Sequence, residues 1–178
     1  MTVADEIHRV TVDEYVRIVR DLGWESTELI EGVVYDVTPE HNRHMTTVMR
    51  VFRRLDAVVG DERTVNAGTV VLSPATMFDP DVFVIAADAV LDPDGAVPVA
   101  HVELAVEVSV TSQRRDRGLK LRAYATAGVP ELWLVDPRPG IGELLRHRDP
   151  DGASYRTVDR FAVGEDAEGL DAAAILGR

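Results

Sequence analysis

The sequence contains no cysteine, so neither a disulfide framework nor a thiolate metal site is available to it. Lysine is almost as scarce: of 19 basic residues 18 are arginine, and Lys120 stands alone. No apolar run approaches the roughly 18 residues that cross a bilayer. The opening MTVADEIHRV lacks a basic segment followed by an apolar one, so no signal peptide is expected and the expected location is cytoplasmic. Repeats, low-complexity tracts and an interdomain linker are also missing. What is present, 46% hydrophobic and 28% charged residues in 178, fits one soluble globular domain over residues 1–178.

The net charge of −12 argues against indiscriminate binding of nucleic acid, but the charge is unevenly placed. Residues 1–40 carry ten acids and three arginines, and residues 79–107 carry seven acids and no base. Arg43, Arg50, Arg53 and Arg54 fall in a stretch with no acid, and Arg114, Arg115, Arg117, Lys120 and Arg122 surround Asp116 alone. Two basic patches in an acidic shell can still hold a phosphate backbone locally.

Thr11-Val-Asp-Glu14 is a capping box, which predicts a helix to about Leu22 stopped at Gly23. Residues 26–37 read as a hairpin around Glu31-Gly32. Residues 41–59 read as a helix whose apolar stripe is Met45, Val48, Phe52, Leu55 and Val59. Residues 63–73 predict one strand bent at Gly68, 81–87 a strand buried on both faces, and 92–98 a loop. A strand over 101–110, a helix over 112–128 ended by Gly128 and a strand over 129–136 have the length of a right-handed crossover, which makes the two strands parallel. Residues 143–158 read as a terminal hairpin turning at Pro150-Asp-Gly152. The expected fold class is α/β, a mixed central sheet with a helix on either side.

Two carboxylates conflict with this pattern. In LAVEVSV, alternation puts Leu104, Val106 and Val108 on one face and Ala105, Glu107 and Ser109 on the other, so Glu107 sits within an apolar strand. Asp81 opens the next most apolar strand, directly after Pro80. A buried carboxylate is costly unless a charge meets it. Asp116, Lys120 and Tyr124 share one helix stripe, beside the sheet-facing stripe of Leu119, Ala123 and Ala127, so Lys120 can reach toward Glu107. Magnesium and manganese favour one or two carboxylates with water and substrate phosphate. Asp81 and Glu107, helped by the Val108 carbonyl, could supply such a site, and an ammonium beside it could orient water or steady charge on phosphoryl oxygens. Lysine can also lose its proton where its pKa is lowered, which arginine cannot do.

PDV (80–82), EVS (107–109), the spacing from Asp116 to Lys120 and YATAGVPELWLVD (124–136) together resemble the putative restriction endonuclease family of the Uma-two type, within the PD-(D/E)XK nuclease superfamily. ELIEG (28–32) and His41 extend the resemblance over roughly residues 10–160. It implies a restriction-endonuclease-like core, Mg2+- or Mn2+-dependent hydrolysis of phosphodiesters, a metal at Asp81 and Glu107, and Lys120 as the catalytic lysine. That lysine usually stands two residues after the second acid, where this chain has Ser109. Glu28 matches the family's early acid and either completes the metal site or orients Lys120. The family's usual Ser-Pro is Ser109-Val110 here, which changes no charge.

The expected function is therefore a metal-dependent endonuclease acting on nucleic acid, most simply DNA, with Arg114, Arg115 and Arg117 steadying the strand. A homodimer would supply the two sites that a double-strand cut needs. The rival is a non-catalytic binding or assembly protein of the same fold, in which Glu107 and Lys120 form a structural ion pair. His41 and His44 read as surface histidines for want of a third nitrogen ligand. Tyr124 and Trp133 read as core or rim aromatics, and Glu131 as the end of a turn.

Overall fold

The computed structural model describes residues 9–24, 26–37, 42–109 and 114–162, with the backbone alone given for 114–117 and for the short strands at 166–167 and 170–171. The first helix, α1 (Val12–Leu22), begins as its capping box dictates. The Thr11 side chain accepts from the Glu14 N–H, the Glu14 carboxylate accepts from the Thr11 N–H at 2.8 Å, and Gly23 closes the helix at φ 63°. Strands β1 (Thr27–Ile30) and β2 (Val33–Asp36) follow, joined by Glu31 and Gly32, both left-handed at φ 49° and 79° as a tight hairpin requires. Then come α2 (Asn42–Val59), β3 (Thr64–Asn66), β4 (Val70–Ser73), β5 (Thr76–Phe78), β6 (Val82–Ile85), β7 (Val97–Pro98) and β8 (Val102–Val108). The remainder is α3 (Arg114–Thr126), β9 (Glu131–Asp136), β10 (Glu143–Asp151), β11 (Ser154–Ala162) and the two-residue strands β12 (Asp166–Ala167) and β13 (Leu170–Asp171). No helix of the described residues is long and apolar enough to cross a membrane.

The larger sheet has six strands in the order β11-β10-β9-β8-β6-β3. Its β8 and β9 are parallel, as the crossover through α3 demands, and its other pairings are antiparallel. A second sheet of five strands runs β2-β1-β5-β4-β7, and β12 pairs with β13. Alternation along β6 and β8 divides the core in two. Val82, Val84, Leu104, Val106 and Val108 pack with Val48, Val51 and Leu55 of α2. Phe83, Ile85 and Ala105 pack on the opposite face with Ala123, Tyr124 and Ala125 of α3 and with Ile30, Val70 and Phe78 of the second sheet. The mixed sheet is thus flanked by helices on both faces, as expected. Burial of apolar surface of this kind contributes about 25 cal/mol per Å².

Four details differ from the sequence-based expectation. The strand expected over 63–73 is two strands in different sheets, β3 and β4. They separate at Gly68, where a Cβ would lie 3.0 Å from the Phe83 ring, so glycine lets the backbone pass close over that ring. The short strands β5 and β7 occupy stretches without a strand pattern; β5 is paired between β1 and β4, and β7 pairs along β4. The terminal hairpin turns at Gly152 and Ala153, a residue or two after the expected turn. Finally, α2 is rotated by about one residue: it buries His44, Thr47, Val48, Val51 and Leu55, while Met45 is 60% exposed.

Candidate active site

The candidate site lies where β6 begins and β8 ends. The last registered antiparallel pair is Val82 with Val106, and one further step brings Asp81 across from Glu107 on the face that looks toward α3. Both acids are there because the strand alternation that buries Val82 and Val106 under α2 turns their neighbours the other way. Asp81 is held at once by the main chain: the Val108 N–H donates to its Oδ2 at 2.6 Å. It marks the end of the ladder, where a side-chain oxygen replaces a strand partner.

Helix α3 returns over this sheet and carries Lys120 into the gap between the two sheets. Its Nζ donates to Glu107 Oε2 at 3.0 Å and to Glu28 Oε1, on β1 of the second sheet, at 2.7 Å. One turn later the Tyr124 hydroxyl donates to Glu107 Oε1 at 2.7 Å, so helical spacing of four residues places two donors on the two oxygens of one carboxylate. Lys120 also lies 5.4 Å from the centre of the Phe78 ring, which packs edge-on against Tyr124. The sequence placed Asp81, Glu107, Glu28 and Lys120 in one set, and these side chains do come together. Tyr124, read as a core or rim aromatic, is fully buried and in addition donates its hydroxyl to Glu107.

Electrostatics follow from burial. Glu107 is pushed up to about 7 by desolvation, which the Lys120 charge counters and the charges of Asp81 and Glu28 reinforce. Glu28 is raised for the same first reason, again opposed by Lys120. Burial draws Lys120 down, but its two carboxylates more than offset this and hold it above its ordinary value. The expectation that this lysine could act with a lowered pKa is therefore corrected: between two acids it stays an ammonium, a donor and a positive charge rather than a base. Tyr124 is raised well above its ordinary value by burial and by Glu107, and remains a phenol.

His44 departs furthest from its sequence reading. Far from being a surface residue, it is buried in the first turn of α2, with Nε2 3.0 Å from Asp81 Oδ1. A signal was present: His44, Val48, Val51 and Leu55 repeat at four, three and four residues, a regular inward stripe that Met45 obscured. His41 lies outside the described residues. So do the side chains of Arg114, Arg115, Asp116 and Arg117, although the backbone of all four belongs to α3. Glu131 does not end a turn but opens β9 and accepts from Trp133 Nε1 at 2.5 Å and from Arg146 Nε at 2.5 Å.

Whether these groups suit a divalent cation is a question of charge and donors. Two carboxylates hold one ammonium, Asp81 lies on the strand beside Glu107, and burial, more than the neighbouring acids, raises Glu107 to about 7. Each carboxylate oxygen has room for more than one partner, so the donors already on Glu107 and Asp81 do not exhaust them. Oxygen donors of this type suit Mg2+ or Mn2+, which commonly use one or two carboxylates and keep water in the remaining positions. Among the described residues no group of three or more His, Cys, Asp or Glu side chains is placed to hold a metal ion. The fit is to an open, hydrated site built on two carboxylates.

A mixed sheet between helices, with acids gathered at neighbouring strand ends, is the restriction-endonuclease-like class of fold. The family described as "Putative restriction endonuclease" (Uma2) matches residues 12–174, and the chain belongs to that family. The structure is similar to a crystal structure described as "a putative nuclease belonging to DUF820" from Anabaena variabilis ATCC 29413. The TM-score is 0.66, over 94% of this chain and 97% of that one, at 15% sequence identity. No curated protein matches the sequence.

Proposed function

We propose that the protein is a divalent-metal-dependent endonuclease that hydrolyses phosphodiester bonds of nucleic acid, with DNA as its substrate. The observation that carries this reading is the bridge that Lys120 makes between Glu107 and Glu28, with Asp81 on the strand beside Glu107 and held by the Val108 N–H. Family membership supports it. In this reading Asp81 and Glu107, with the Val108 carbonyl, hold Mg2+ or Mn2+. When bound, the ion supplies Lewis acidity and makes a neighbouring water more acidic.

The chain's own groups do the rest. Lys120, kept as an ammonium, directs N–H donors toward charge that builds on the phosphoryl oxygens. Glu28 holds that ammonium from the far side and fixes its direction. Tyr124 pins one oxygen of Glu107 while Lys120 pins the other, which presents the carboxylate in one orientation. The Val108 N–H does the same for Asp81. Arg114, Arg115 and Arg117 at the start of α3 contact the phosphate backbone, which needs no sequence information. The catalytic unit is a single nuclease-like domain over 1–178, and its homodimer supplies one site for each strand.

The test is cleavage of supercoiled plasmid in Mn2+ by the wild type, Lys120→Ala and Glu107→Ala, each with its fold confirmed by circular dichroism. The reading expects cleavage that chelation abolishes and that both variants lose. Equal activity in all three would end it. One observation favours a second reading: both oxygens of Glu107 already have protein donors, so the cluster also satisfies itself as a structural ion-pair network. A non-catalytic nuclease-fold binding protein of that kind would take up no Mn2+ that depends on Asp81.

A further inference from the structure

A cleft of about 430 Å³ lies between α1 and the five-stranded sheet, walled by Val19, Arg20 and Trp24 on one side and by Thr27, Met77 and Asp79 on the other. Its volume is in the range of small-ligand sites. Two hydrogen bonds fix the α1 side. The Tyr15 hydroxyl donates to the Thr27 carbonyl oxygen at 2.7 Å, and past Gly23 the Trp24 N–H donates to the Val19 carbonyl oxygen at 3.1 Å. Trp24 is thus anchored through its backbone, and yet it is 44% exposed.

The cleft and the acid cluster lie on opposite faces of this sheet but meet at one end of it. β1 begins at Thr27 and β5 ends at Phe78, and the two run antiparallel with Leu29 beside Met77. Alternation turns Thr27 and Met77 to the cleft and Glu28 and Phe78 to α3, where Phe78 meets Tyr124 and Lys120. Past that end the chain runs Asp79-Pro80-Asp81. Two residues span at most about 7 Å, so the carboxylate of the cleft and that of the proposed metal site belong to one short segment. Glu28 feels both: burial raises it first, Lys120 opposes this, and the charges of Asp79 and Asp81 each add to the rise. A strand that crosses this end with a phosphate at Asp81 and Glu107 brings its neighbouring nucleotide to the cleft.

The lining suits a flat group with apolar faces and polar edges. The Trp24 indole, Val19 and Met77 offer apolar surface, while Arg20 can donate to an edge and Asp79 can accept from one. A phosphate there would meet the Asp79 charge; a nucleobase is neutral. Exposed aromatic side chains bind single strands by stacking on their bases, whatever the sequence. We propose that the cleft takes one unstacked nucleobase of the substrate strand, and that the substrate class is nucleic acid with an unpaired or extruded nucleotide beside the scissile phosphate. A base within a duplex has both faces stacked and enters such a cleft only when flipped out. The proposal rests on the nuclease reading for its ligand, but a base on Trp24 needs neither metal nor cleavage.

Fluorescence titration of the full chain in chelator tests it, because the two tryptophans differ so much. Trp133 is 2% exposed and bonded to Glu131, so a stacking base is read by Trp24. The probes are a short single-stranded DNA of mixed sequence, an abasic sugar-phosphate strand of the same length, and a fully paired duplex. The single strand is expected to quench the emission of the wild type, the abasic strand not to, and the duplex far less. The quench should vanish in Trp24→Phe, which leaves Trp133 as the sole tryptophan. By anisotropy of a dye-labelled strand, Trp24→Ala, checked for a cooperative melt, should bind the single strand about tenfold more weakly and the abasic strand within about twofold of wild type. Binding of the single strand without quenching overturns the proposal, and this result needs no variant to fold. An equal loss for the base-bearing and abasic strands overturns it too, since Trp24 would then only shape the fold, and so does failure of every probe to bind. Quenching in a protein that cleaves nothing in Mn2+ would overturn the nuclease reading and leave the base cleft in place; cleavage without quenching would do the reverse.

Discussion

Lys120 and Glu28 stand 92 positions apart in the sequence, and the lysine Nζ lies 2.7 Å from the glutamate Oε1. The contact joins α3, which covers the six-stranded sheet, to β1 in the five-stranded one. With the second contact, from the same Nζ to Glu107 Oε2 at 3.0 Å, one ammonium bridges the two sheets. Neither carboxylate is tolerable at this depth without it, and the lysine is not tolerable without them.

That mutual dependence predicts a large cost for removing the cation. Lys120→Met leaves Glu28 and Glu107 buried with their partner gone, and should lower stability by about 3–5 kcal/mol in urea unfolding. Adding Glu28→Gln to that variant removes one uncompensated charge and should recover part of the loss. A loss below about 1 kcal/mol for Lys120→Met would mean that the cluster is far better hydrated than its burial indicates.

Tyr124→Phe tests the second donor on Glu107. The substitution keeps the ring that packs against Phe78 and deletes the hydroxyl that donates to Oε1. A hydrogen bond to a charged group contributes about 1.5–3 kcal/mol, so the variant should lose stability in that range. Its cleavage activity should fall as well, because one oxygen of Glu107 is no longer pinned. A variant as stable and active as the wild type would show that Lys120 alone orients the carboxylate.

His147 gives a pH dependence away from the site. It is buried on β10, its rings tilted against Tyr155, and among the described residues its Nε2 has no hydrogen-bond partner. Burial lowers its pKa below the ordinary value near 6.5. The unfolded chain therefore takes up a proton first as the pH falls. The stability this histidine contributes is complete above about pH 6.5 and is lost as the pH drops through the lowered folded value. His147→Leu should be at least as stable at pH 7.5 and should lose less on acidification to pH 5, measured as the urea midpoint at each pH. Identical losses in both proteins would place the acid sensitivity elsewhere.

The role proposed for Arg114, Arg115 and Arg117 is electrostatic, and salt reads it out. Binding of a DNA duplex in chelator should weaken with salt, and the slope of log affinity against log salt should become shallower by about one for each arginine changed to alanine, if each meets a phosphate. A slope unchanged in the triple variant would remove these arginines from the interface.

Much of the fold was legible because its signals are local. The capping box at Thr11, the left-handed Glu31-Gly32 turn and the strand-helix-strand crossover from Val102 to Asp136 each depend on a few adjacent residues, and each is found as expected. Lys120 was legible for a different reason: a lone lysine among arginines is a compositional anomaly, and its helix stripe pointed it at Glu107. What was not legible depends on distant neighbours. Strands of three or four residues such as β3, β4 and β5 take their sheet from the strands they meet, and Gly68 separates β3 from β4 because of the Phe83 ring rather than any turn signal of its own. His44 was missed because the apolar residues of α2 fit two stripes one residue apart. The end of β6, packed beneath the helix, decides between them. Tyr124 was read as a core or rim aromatic without its bond to Glu107, because a hydroxyl's partner across two elements cannot be read from helical spacing.

The most direct test of the account is the position of the ion itself, found by anomalous diffraction from crystals soaked in Mn2+. The account predicts one anomalous peak within about 2.0–2.3 Å of carboxylate oxygens from both Asp81 and Glu107, with Lys120 still held by Glu28. No peak there at saturating Mn2+, with Glu107 still bound by Lys120 and Tyr124 alone, would contradict it and leave the cluster a structural ion-pair network.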